Sequence, residues 1–543
     1  MTETAFALSL GNGGILMFVQ RTRFVGIVLV FVSAICVSAF GAEAGFKPIF
    51  DGKTLDGWKA SDMKFWSVEE GAITGESTEQ NVVKVNQFIV WQLGEVDDFE
   101  LKLKYRISGT DRANSGVQIR SAVAPEGWVG GYQADIDRSG RFTGIVYEER
   151  RSRGIMAQRG QRSVFGPDGE KSTKAIGDGA ELGAVVKKDG WNDYHIIARG
   201  PHIELKINGR TMSEVFDSDK KKRELSGVLA LQLHVGPPMK VQFKDIRLKR
   251  LAMEGRKKVV LVAGRKSHGF SGHEHNAGCL LLAKLLNECM PNMHATVYTD
   301  GWPQDPTAFD NADGITVFCD GGGGHVVMRH LEEMDAMAKD GMGIAFLHYG
   351  VELPKGKPGD YALDWVGGYF ETFWSVNPHW TAEFKKLPNH PITRGIKPFF
   401  MDDEWYYHMR FRENMQGVTP ILSAVPPEST RQRPDGAHSG NPTVRARKGM
   451  AEHVAWAYER PDGGRGFGFT GGHWHWSWAS DDFRNVVLNA LVWICGEEVP
   501  EGGVPSRRPS LEELLANQDY DLPGNWNQRK AKVLADIEAW NSN

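Results

Sequence analysis

KKVVLVAG, residues 257–264, is a continuous run of apolar residues that ends in glycine, and apolar residues at helical spacing follow it at 277–290. The same alternation of strand and helix is repeated downstream, at 314–324 (strand), 326–339 (helix), 341–348 (strand), 464–472 (strand) and 481–495 (helix). Continuous apolar strands are typical of parallel sheets that are covered on both faces. Strands that alternate with helices therefore predict βαβ units and a parallel α/β sheet, whose ligands bind beyond the carboxyl ends of the strands.

The chain before residue 253 has a different pattern. Short segments of alternating apolar and polar residues occur at 99–108 (FELKLKYRIS), 115–121 (SGVQIRS), 191–200 (WNDYHIIARG) and 202–210 (HIELKINGR). Period-two alternation, with an Asn208-Gly209 turn, predicts antiparallel strands. Because no strong helical pattern occurs here, we predict an antiparallel β-sandwich of the jelly-roll kind.

Length and charge set limits on the number of domains and on the partners. The chain has 543 residues, of which 41% are hydrophobic, enough for two or more packed cores. Its 64 Lys and Arg residues nearly balance 68 Asp and Glu residues, for a net charge of -4. This balance provides no field that would hold a polyanion, so nucleic acid is not expected as a partner.

The N-terminal segment has the features of a secretory signal peptide. Arg21 and Arg23 precede an uncharged apolar run at 24–40, and small residues surround Ala44. A membrane anchor is the alternative, but the run is shorter than the roughly 20 residues that span a bilayer. We expect cleavage near Ala44, export to the periplasm or the outside, and no stable membrane span in the mature protein.

The cysteines that follow the predicted signal peptide all lie in the second half, at Cys279, Cys289, Cys319 and Cys495. They lack the C-x-x-C spacing of a thiolate metal site. We interpret them as buried thiols. The alternative that two of them form one disulfide in an oxidising compartment is left open.

Motifs in the first half together resemble the 3-keto-disaccharide hydrolase family. They are FKPIFDGKTLDGW at 46–58, SGVQIRS at 115–121, GGYQADI at 130–136, TGIVYEE at 143–149 and LQLHVGPPMKVQFKDIRLK at 231–249. The resemblance implies a concanavalin-like β-sandwich and a small carbohydrate substrate whose C3 has been oxidised to a ketone.

The second half resembles the trehalose-utilisation (ThuA-like) family. The matching stretches are LVAGRKSHGF at 261–270, GIAFLH at 343–348, LPNHPITRGI at 387–396, DEWYYHMRF at 403–411 and GFTGGHWHW at 468–476. The resemblance implies a flavodoxin-like α/β fold related to class I glutamine amidotransferases. Amidotransferase chemistry needs a cysteine at the strand-to-helix elbow, where this chain has His348, Tyr349 and Gly350, so we reject glutamine hydrolysis.

These observations divide the chain into four predicted parts. They are a signal peptide at 1–44, a β-sandwich at 45–252, an α/β domain at 256–498 and a tail at 499–543. The tail contains two short amphipathic segments, 511–517 and 529–540, which we expect to pack on the surface.

Polar residues at alternating strand positions predict a wet, concave sugar-binding face on the sandwich. The pairs that share a face in this pattern are Gln118 and Arg120, Gln133 and Asp135, and Gln232 and His234, with Tyr147 and Glu148 nearby. Amides and carboxylates would bind sugar hydroxyls, while an aromatic ring would cover the apolar face of the sugar. We assign substrate binding to Gln118, Gln133, Tyr147 and Gln232.

A C3 ketone acidifies the hydrogen on C2, so the aglycone can leave by elimination and water can then add. We nominate Asp135 or Glu148 as the base, His234 as acid or base, and Arg120 as the enolate stabiliser. One alternative is that Arg120 and Asp135 form an exposed cross-strand ion pair and that Glu148 is a solvated strand residue. Another is a non-catalytic glycan-binding sandwich attached to a ThuA-like domain of unknown or lost activity.

The α/β domain places histidines after successive predicted strands. We assign a second site to His268, His325, His348, Glu352, Glu404 and His473. A divalent metal and a His/carboxylate acid–base pair both stay open as interpretations, and the cofactor is unknown. The spacing of His273 and His275 matches no strong metal signature. Tryptophans at 365, 374, 380, 405, 474, 476 and 478 are expected to divide between a sugar cleft and the core.

Overall fold

The structure is a computed structural model that describes residues 6–10, 14–18 and 43–542. The apolar run of the predicted signal peptide, 24–40, lies outside the described residues. Two short strands, β1 (Phe6–Leu10) and β2 (Gly14–Phe18), pair in antiparallel fashion and belong to a separate unit that ends at Ala44. Residues 45–543 form one compact unit.

The first half of this compact unit is an antiparallel β-sandwich, as predicted. Its strands are β3 (Lys47–Pro48), β4 (Trp58–Ala60), β5 (Trp66–Glu69), β6 (Ala72–Ser77), β7 (Gln87–Trp91), β8 (Phe99–Gly109), β9 (Asn114–Val123), β10 (Val129–Asp137), β11 (Val146–Glu149), β12 (Gly154–Ala157), β13 (Gln161–Phe165), β14 (Lys171–Ala175), β15 (Asn192–Arg199), β16 (His202–Ile207), β17 (Arg210–Asp217), β18 (Val228–Leu233) and β19 (Met239–Arg250). One sheet has the order β12-β11-β10-β9-β18-β7-β4, and the other has β14-β13-β17-β16-β15-β8-β19-β6-β5, with β3 paired to β19. The strand pairs are antiparallel except β13 and β17, which are parallel. One short α-helix, α1 (Gly179–Ala184), and one 3-10 turn (Met63–Phe65) interrupt this part of the chain.

Strict alternation places the apolar residues between the two sheets. In β8, Phe99, Leu101 and Leu103 are buried while the intervening side chains are half-buried. The turn between β16 and β17 has positive φ angles at Asn208 and Gly209, of 50° and 79°. Asn and Gly tolerate this left-handed conformation, which joins two antiparallel strands through a tight turn.

The second half is an α/β domain with a mostly parallel sheet. Its strands are β20 (Lys257–Ala263), β21 (Met293–Tyr298), β22 (Gly314–Phe318), β23 (Gly343–Leu347), β24 (Gly368–Tyr369), β25 (His379–Phe384), β26 (Phe399–Glu404), β27 (Arg410–Phe411), β28 (Val418–Ala424), β29 (Glu452–Glu459) and β30 (Arg465–Phe469). The main sheet has the order β21-β20-β22-β23-β30-β29-β28. Its first five strands are parallel, and β29 and β28 extend it in antiparallel fashion, so the predicted flavodoxin-like sheet is confirmed with a mixed edge.

Helices cover both faces of this sheet. The helices of this half are α2 (His275–Cys289), α3 (Leu331–Lys339), α4 (Lys357–Val366), α5 (Glu428–Arg431), α6 (Pro442–Ala446), α7 (Asp481–Ile494), α8 (Leu511–Leu515) and α9 (Trp526–Trp540). Leu261 packs in the same core cluster as residues of α2 and α7, whereas its neighbours Val260 and Val262 pack in the cluster of α3 and α4. Strand residues buried on both sides explain the continuous apolar runs.

The strand order creates a topological switch point between β20 and β22. The chain leaves β20 through α2 to reach β21 on one side, while β22 pairs with the other side of β20. A crevice forms beyond the carboxyl ends of two such strands, because their connections depart in opposite directions.

The tail packs on the α/β domain beside the loop that follows β20. Trp526 stacks on Trp476, with ring centroids 5.4 Å apart. The backbone N–H of Asp519 donates to the Glu274 carboxylate at 2.8 Å. The tail therefore packs on the surface, as predicted, and it also supports the segment that carries His273 and His275.

Cysteines and tryptophans of the α/β half are mostly part of its core. In the described residues, Cys279, Cys289, Cys319 and Cys495 are free thiols. Tryptophans 365, 380, 405, 476 and 478 are buried, so most of the seven singled out by the sequence have a packing role. None of the helices in the described ranges is long and apolar enough to cross a bilayer.

Candidate functional site

The sheet that contains β9, β10 and β18 has a polar outer face on the sandwich. Register aligns Asp135 with Gly116 and Gly116 with Gln232, and aligns Gln133 with Gln118. The Gln118 amide donates to Gln133 Oε1 at 2.6 Å. Gly116 matters for this packing because a Cβ there would lie 2.5 Å from Cδ of Gln133. The predicted set Gln118, Gln133, Asp135 and Gln232 therefore lies together on one floor.

The contacts above this floor show that it is concave. Asn86, directly before β7, donates from its amide to Glu149 Oε1 at 3.3 Å. Three strands, β18, β9 and β10, separate β7 from β11 in the sheet, so the two edges must curl toward each other. Tyr147, opposite Gln133 in the register, lies on the same face as Glu149. The face is a groove with a buried amide and carboxyl floor.

Asp135 is a buried carboxyl whose environment favours its neutral form. Burial raises the pKa of its carboxyl well above the ordinary value, and a hydrogen bond from Asn114 at 3.2 Å only partly offsets this effect. A carboxyl with a raised pKa is a stronger base once it is ionised, and it can accept and return a proton in one catalytic cycle. Gln232 adds a fully buried amide without a hydrogen-bond partner in the described part of the chain.

Two predicted catalytic residues lie elsewhere. Glu148 follows Tyr147 directly and therefore points to the opposite face, where Arg153 binds its carboxylate at 2.6 Å. Arg120 donates to the Asp97 carbonyl at 2.6 Å and to the Asp98 carboxylate at 2.8 Å, and is buried. Both side chains hold the sandwich together and are not available to a sugar in the groove.

A β-bulge explains the position of Arg120. The register of β9 shifts against both of its neighbours around this residue, whose φ is 46°. A bulge inserts one extra residue and reverses the alternation beyond it. Arg120 therefore turns inward although Gln118, two residues earlier, faces the groove. His234 lies just beyond β18, half-buried, and its Nδ1 lies 2.6 Å from the Val235 carbonyl oxygen.

The α/β domain brings four side chains together beyond the carboxyl edge of its sheet. His273 lies in the loop after β20, His348 follows β23 directly, His473 lies four residues beyond β30, and Glu404 ends β26. Both His273 and His348 have a positive φ, of 51°. Such strained backbone in residues other than glycine occurs mostly where the surrounding structure must fix a functional side chain.

The ring nitrogens and the carboxylate of these four residues face one another. His273 Nε2 lies 3.0 Å from His473 Nδ1 and 3.1 Å from His348 Nε2. Glu404 Oε2 lies 3.0 Å from His473 Nδ1 and 3.6 Å from His348 Nε2. Burial lowers the pKa of His273 and of His348, so both imidazoles are neutral at physiological pH.

Surrounding groups fix this cluster in place. Asp403 is buried and accepts hydrogen bonds from the backbone N–H of Gly472 and of His473, at 3.1 and 3.0 Å, and thereby holds the loop after β30. The Tyr406 hydroxyl lies 3.2 Å from His348 Nε2 and 3.3 Å from Glu404 Oε2. Asp320, after β22, contacts His273 across the switch point between β20 and β22.

The remaining predicted residues of the second site lie around this cluster. His268 stacks on the His273 ring with centroids 3.6 Å apart. Glu352 does not enter the cluster but binds His438 Nε2 at 2.9 Å, which raises the pKa of that histidine. His325 is buried, and its Nε2 contacts the Gly350 carbonyl oxygen at 2.9 Å, so it supports the elbow from below.

A polar cavity of about 390 Å³ opens beside Glu404. Its other lining residues are Asn377, Pro378, His379, Ser429, Thr430 and Arg433. The volume lies in the roughly 300–1,000 Å³ range of small-molecule sites. The long segment between β23 and β29 thus forms a wall of the site.

Sequence reasoning missed several members of the two sites. Alternation from Tyr147 could have identified Glu149, because residues two apart share a face. Asn86, Asp320 and Tyr406 meet their partners only through long-range folding, and no local pattern marks them. Of the two histidines at 273 and 275, only His273 joins the cluster. The Nδ1 of His275 lies 3.1 Å from the Arg265 carbonyl oxygen.

Solved structures are similar to parts of this chain. A carbohydrate-binding module from Bacillus subtilis is 14% identical, covers 36% of this chain and 95% of its own, and has a TM-score of 0.25. A ThuA-like protein from Bacteroides uniformis is 14% identical, covers 46% of this chain and 95% of its own, and has a TM-score of 0.33. A second ThuA-like protein, from Parabacteroides merdae, is 12% identical over 46% of this chain and 98% of its own, with a TM-score of 0.32. No curated protein matches the chain.

Family models identify the two halves and confirm the resemblances that the motifs indicated. Both families concern carbohydrates, so the function of the chain is related to carbohydrate. Residues 45–249 match the 3-keto-alpha-glucoside-1,2-lyase-like domain, and residues 259–494 match the ThuA family of trehalose utilisation, in the order that the sequence predicted.

Proposed function

We propose that this protein is an exported enzyme that cleaves the glycosidic bond of 3-keto-glycosides in the groove of its β-sandwich. The α/β domain then binds or transforms related sugars. The observation that carries the proposal is Asp135, a buried carboxyl with a raised pKa on a floor of glutamine amides. An acid–base carboxyl beside sugar-binding amides is what an elimination at C2 requires.

The reaction assigns a step to each part of the groove. Asp135 removes the proton from C2, and the electron pair of that C–H bond forms the C2=C3 bond of an enolate. The Nε2 of Gln232, which has no partner within the described residues, donates to the enolate oxygen and takes the role predicted for Arg120. Collapse of the enolate breaks the bond from C1 to the aglycone oxygen, which takes a proton from a groove acid. Tyr147, on the face of Gln133, and His234 are the candidates for that acid.

Hydration completes the cleavage. Water adds to C1 of the resulting enone while Asp135 returns the proton to C2, so the net reaction is hydrolysis. This route avoids the oxocarbenium transition state of ordinary glycosidases, which use a pair of carboxylates that flank the bond. The buried Asp135 carboxyl, with its raised pKa, supplies the one base that the elimination route needs.

The mature protein is expected to release the aglycone from an aryl 3-keto-glucoside and to leave the unoxidised aryl glucoside intact. Release is measured by absorbance of the aryl alcohol and by mass spectrometry of the sugar. Tight binding of the keto sugar without release would instead support a glycan-binding module. The absence of both binding and release would refute the proposal.

Export is tested separately on cells that produce the full chain. We expect the protein in the periplasmic or extracellular fraction, with a mature N-terminus close to residue 45, because the apolar run at 24–40 is followed by small residues. Edman sequencing of the purified protein checks the cleavage position. A protein that remains in the cytoplasm with its first 44 residues attached would contradict this part of the proposal.

A further inference from the structure

The four-residue cluster His273, His348, His473 and Glu404 has more acceptors than available protons. His348 Nδ1 lies 2.8 Å from the carbonyl oxygen of Thr470. A carbonyl only accepts, so Nδ1 carries the proton and Nε2 presents a lone pair. His273 Nδ1 lies 3.1 Å from a carboxylate oxygen of Asp320, which fixes the same tautomer in His273.

Two lone pairs therefore face each other across 3.1 Å, on His273 Nε2 and His348 Nε2. The carboxylate of Glu404 adds negative charge at the same point. The Tyr406 hydroxyl and the Nδ1 of His473 supply at most two protons for these three acceptors. A cation at the centre would satisfy all of these groups together. A ligating histidine whose other ring nitrogen is held by a carbonyl or carboxylate is the usual arrangement around a protein-bound metal.

The spacing of the four donor atoms fits one ion. All four lie within 4.8 Å of one another, and the four close separations run from 3.0 to 3.6 Å. Ligand atoms about 2.0–2.1 Å from a tetrahedral ion are about 3.3–3.4 Å apart. Three imidazoles and one carboxylate suit a first-row transition metal, whereas Ca²⁺ and Mg²⁺ prefer all-oxygen sites.

Burial is asymmetric around the cluster. The side chains of His273 and His348 are 2% and 0% exposed, while those of His473 and Glu404 are 13% and 11% exposed. Glu404 also lines the 390 Å³ cavity, together with Asn377 and Arg433. An ion held by the four side chains would thus be closed toward the sheet and open toward a polar cavity.

We propose that His273, His348, His473 and Glu404 bind a divalent first-row transition-metal ion, which receives the adjacent hydroxyl and carbonyl oxygens of an oxidised sugar from the cavity beside Glu404. The ion would polarise the sugar carbonyl as a Lewis acid. The proposal of a metal site, called the metal part below, depends only on the geometry of the four side chains. The substrate part rests on the proposed function, because that function supplies the keto sugar.

The metal part is tested on the full mature protein after removal of metal by chelation. We expect one Co²⁺ or Zn²⁺ per chain, with visible absorption bands for Co²⁺, and no tight binding in the variants His348→Ala and Glu404→Gln. Asp320→Asn should weaken Co²⁺ affinity about 10–100-fold, because it replaces the charged carboxylate that orients His273 with a neutral amide, which is a weaker acceptor. The control His330→Ala, whose ring stacks on Trp302 at the surface, should bind like wild type.

Equal Co²⁺ affinity in wild type and in the two ligand variants would overturn the metal site. Glu404→Gln and Asp320→Asn preserve size, and unchanged far-UV circular dichroism shows that each variant is folded. Bound Zn²⁺ should also raise the melting temperature of wild type but not of Glu404→Gln, because only the native site binds the ion.

The substrate part uses the Co²⁺ form with Asp135 replaced by asparagine, so that the sandwich cannot consume the ligand. We expect 3-keto-glucose to change the visible Co²⁺ spectrum and glucose to leave it unchanged. A spectrum that 3-keto-glucose does not alter would overturn the assigned substrate class. Metal binding is measured without sugar. A failure of glycoside cleavage would therefore contradict the proposed function without affecting the result for the metal site.

Discussion

Replacement of Asp135 by asparagine is expected to lower the rate of 3-keto-glycoside cleavage by about 10²–10⁴-fold. The amide has the same shape as the carboxyl but cannot accept the C2 proton. Asp135 is only 5% exposed, and burial favours its neutral form, so the substitution should leave the fold intact. The rate constant is measured per folded protein with an aryl 3-keto-glucoside.

The matched comparison is Glu148→Gln. Glu148 lies on the opposite face, where it binds Arg153, so its loss should affect stability rather than the pH dependence of the rate. This comparison separates the two carboxylates that the sequence offered as bases. Equal rates in wild type and Asp135→Asn would remove Asp135 from the mechanism.

The pH dependence gives a second measure of Asp135. A base must be ionised, so the wild-type rate should rise with pH through the raised pKa of Asp135. The folded state also holds this proton more tightly than the unfolded state, whose carboxyl has a pKa of about 3.9. The stability contribution of Asp135 is therefore fully present below about pH 3.9 and is lost as the pH rises through the folded pKa. In Asp135→Asn, this loss of stability with rising pH should be absent.

The fold could be predicted from local patterns because the order of apolar and polar residues in each strand shows which of its faces are buried. Alternation in β8 and continuous apolar sequence in β20 distinguish a sheet covered on one face from a sheet covered on two. The carboxyl edge of the α/β sheet could also be predicted, because parallel strands direct their following loops to one side. His348 and His473 were assigned to the site on that basis.

The detailed membership of the groove could not be obtained from the same patterns. Arg120 shows why, since a single bulge in β9 reverses the side-chain direction and depends on both neighbouring strands. Asn86 and Glu149 meet only because the whole sheet curls. In the α/β domain, Glu404 reaches His473 from a hairpin 69 residues away in sequence, a contact that no spacing rule contains.

The contact between the sandwich and the α/β domain is held by buried charges. Asp97 lies 2.5 Å from Lys258 Nζ and 3.5 Å from Arg250, and it accepts from the Asn311 amide at 3.0 Å. The side chains of Asp97, Lys258 and Arg250 are 3%, 1% and 0% exposed. Charges in such a place are stable only while each keeps its partner.

Asp97→Ala is therefore expected to lower the free energy of unfolding by about 3–5 kcal/mol, because it leaves the buried Lys258 ammonium without its carboxylate, while Arg250 keeps only Asp305 among the described carboxylates. The measurement is urea denaturation of the mature protein, followed by fluorescence and circular dichroism. The control is Asp193→Ala, which removes an exposed partner 3.9 Å from Lys104 and should cost about 0–1 kcal/mol. Equal losses in the two variants would contradict the role of the buried network.

The same network predicts the direction of acid sensitivity. Burial alone would raise the pKa of Asp97, but the charges of Lys258 and Arg250 outweigh it and hold that pKa below its ordinary value. A carboxyl with a lowered folded pKa contributes stability above its unfolded pKa of about 3.9 and loses it as the pH falls toward the folded value. Wild type should thus lose stability on acidification more steeply than Asp97→Ala. If the free energy of unfolding fell equally with pH in the two proteins, this prediction would be contradicted, because protonation of Asp97 would then not be coupled to unfolding.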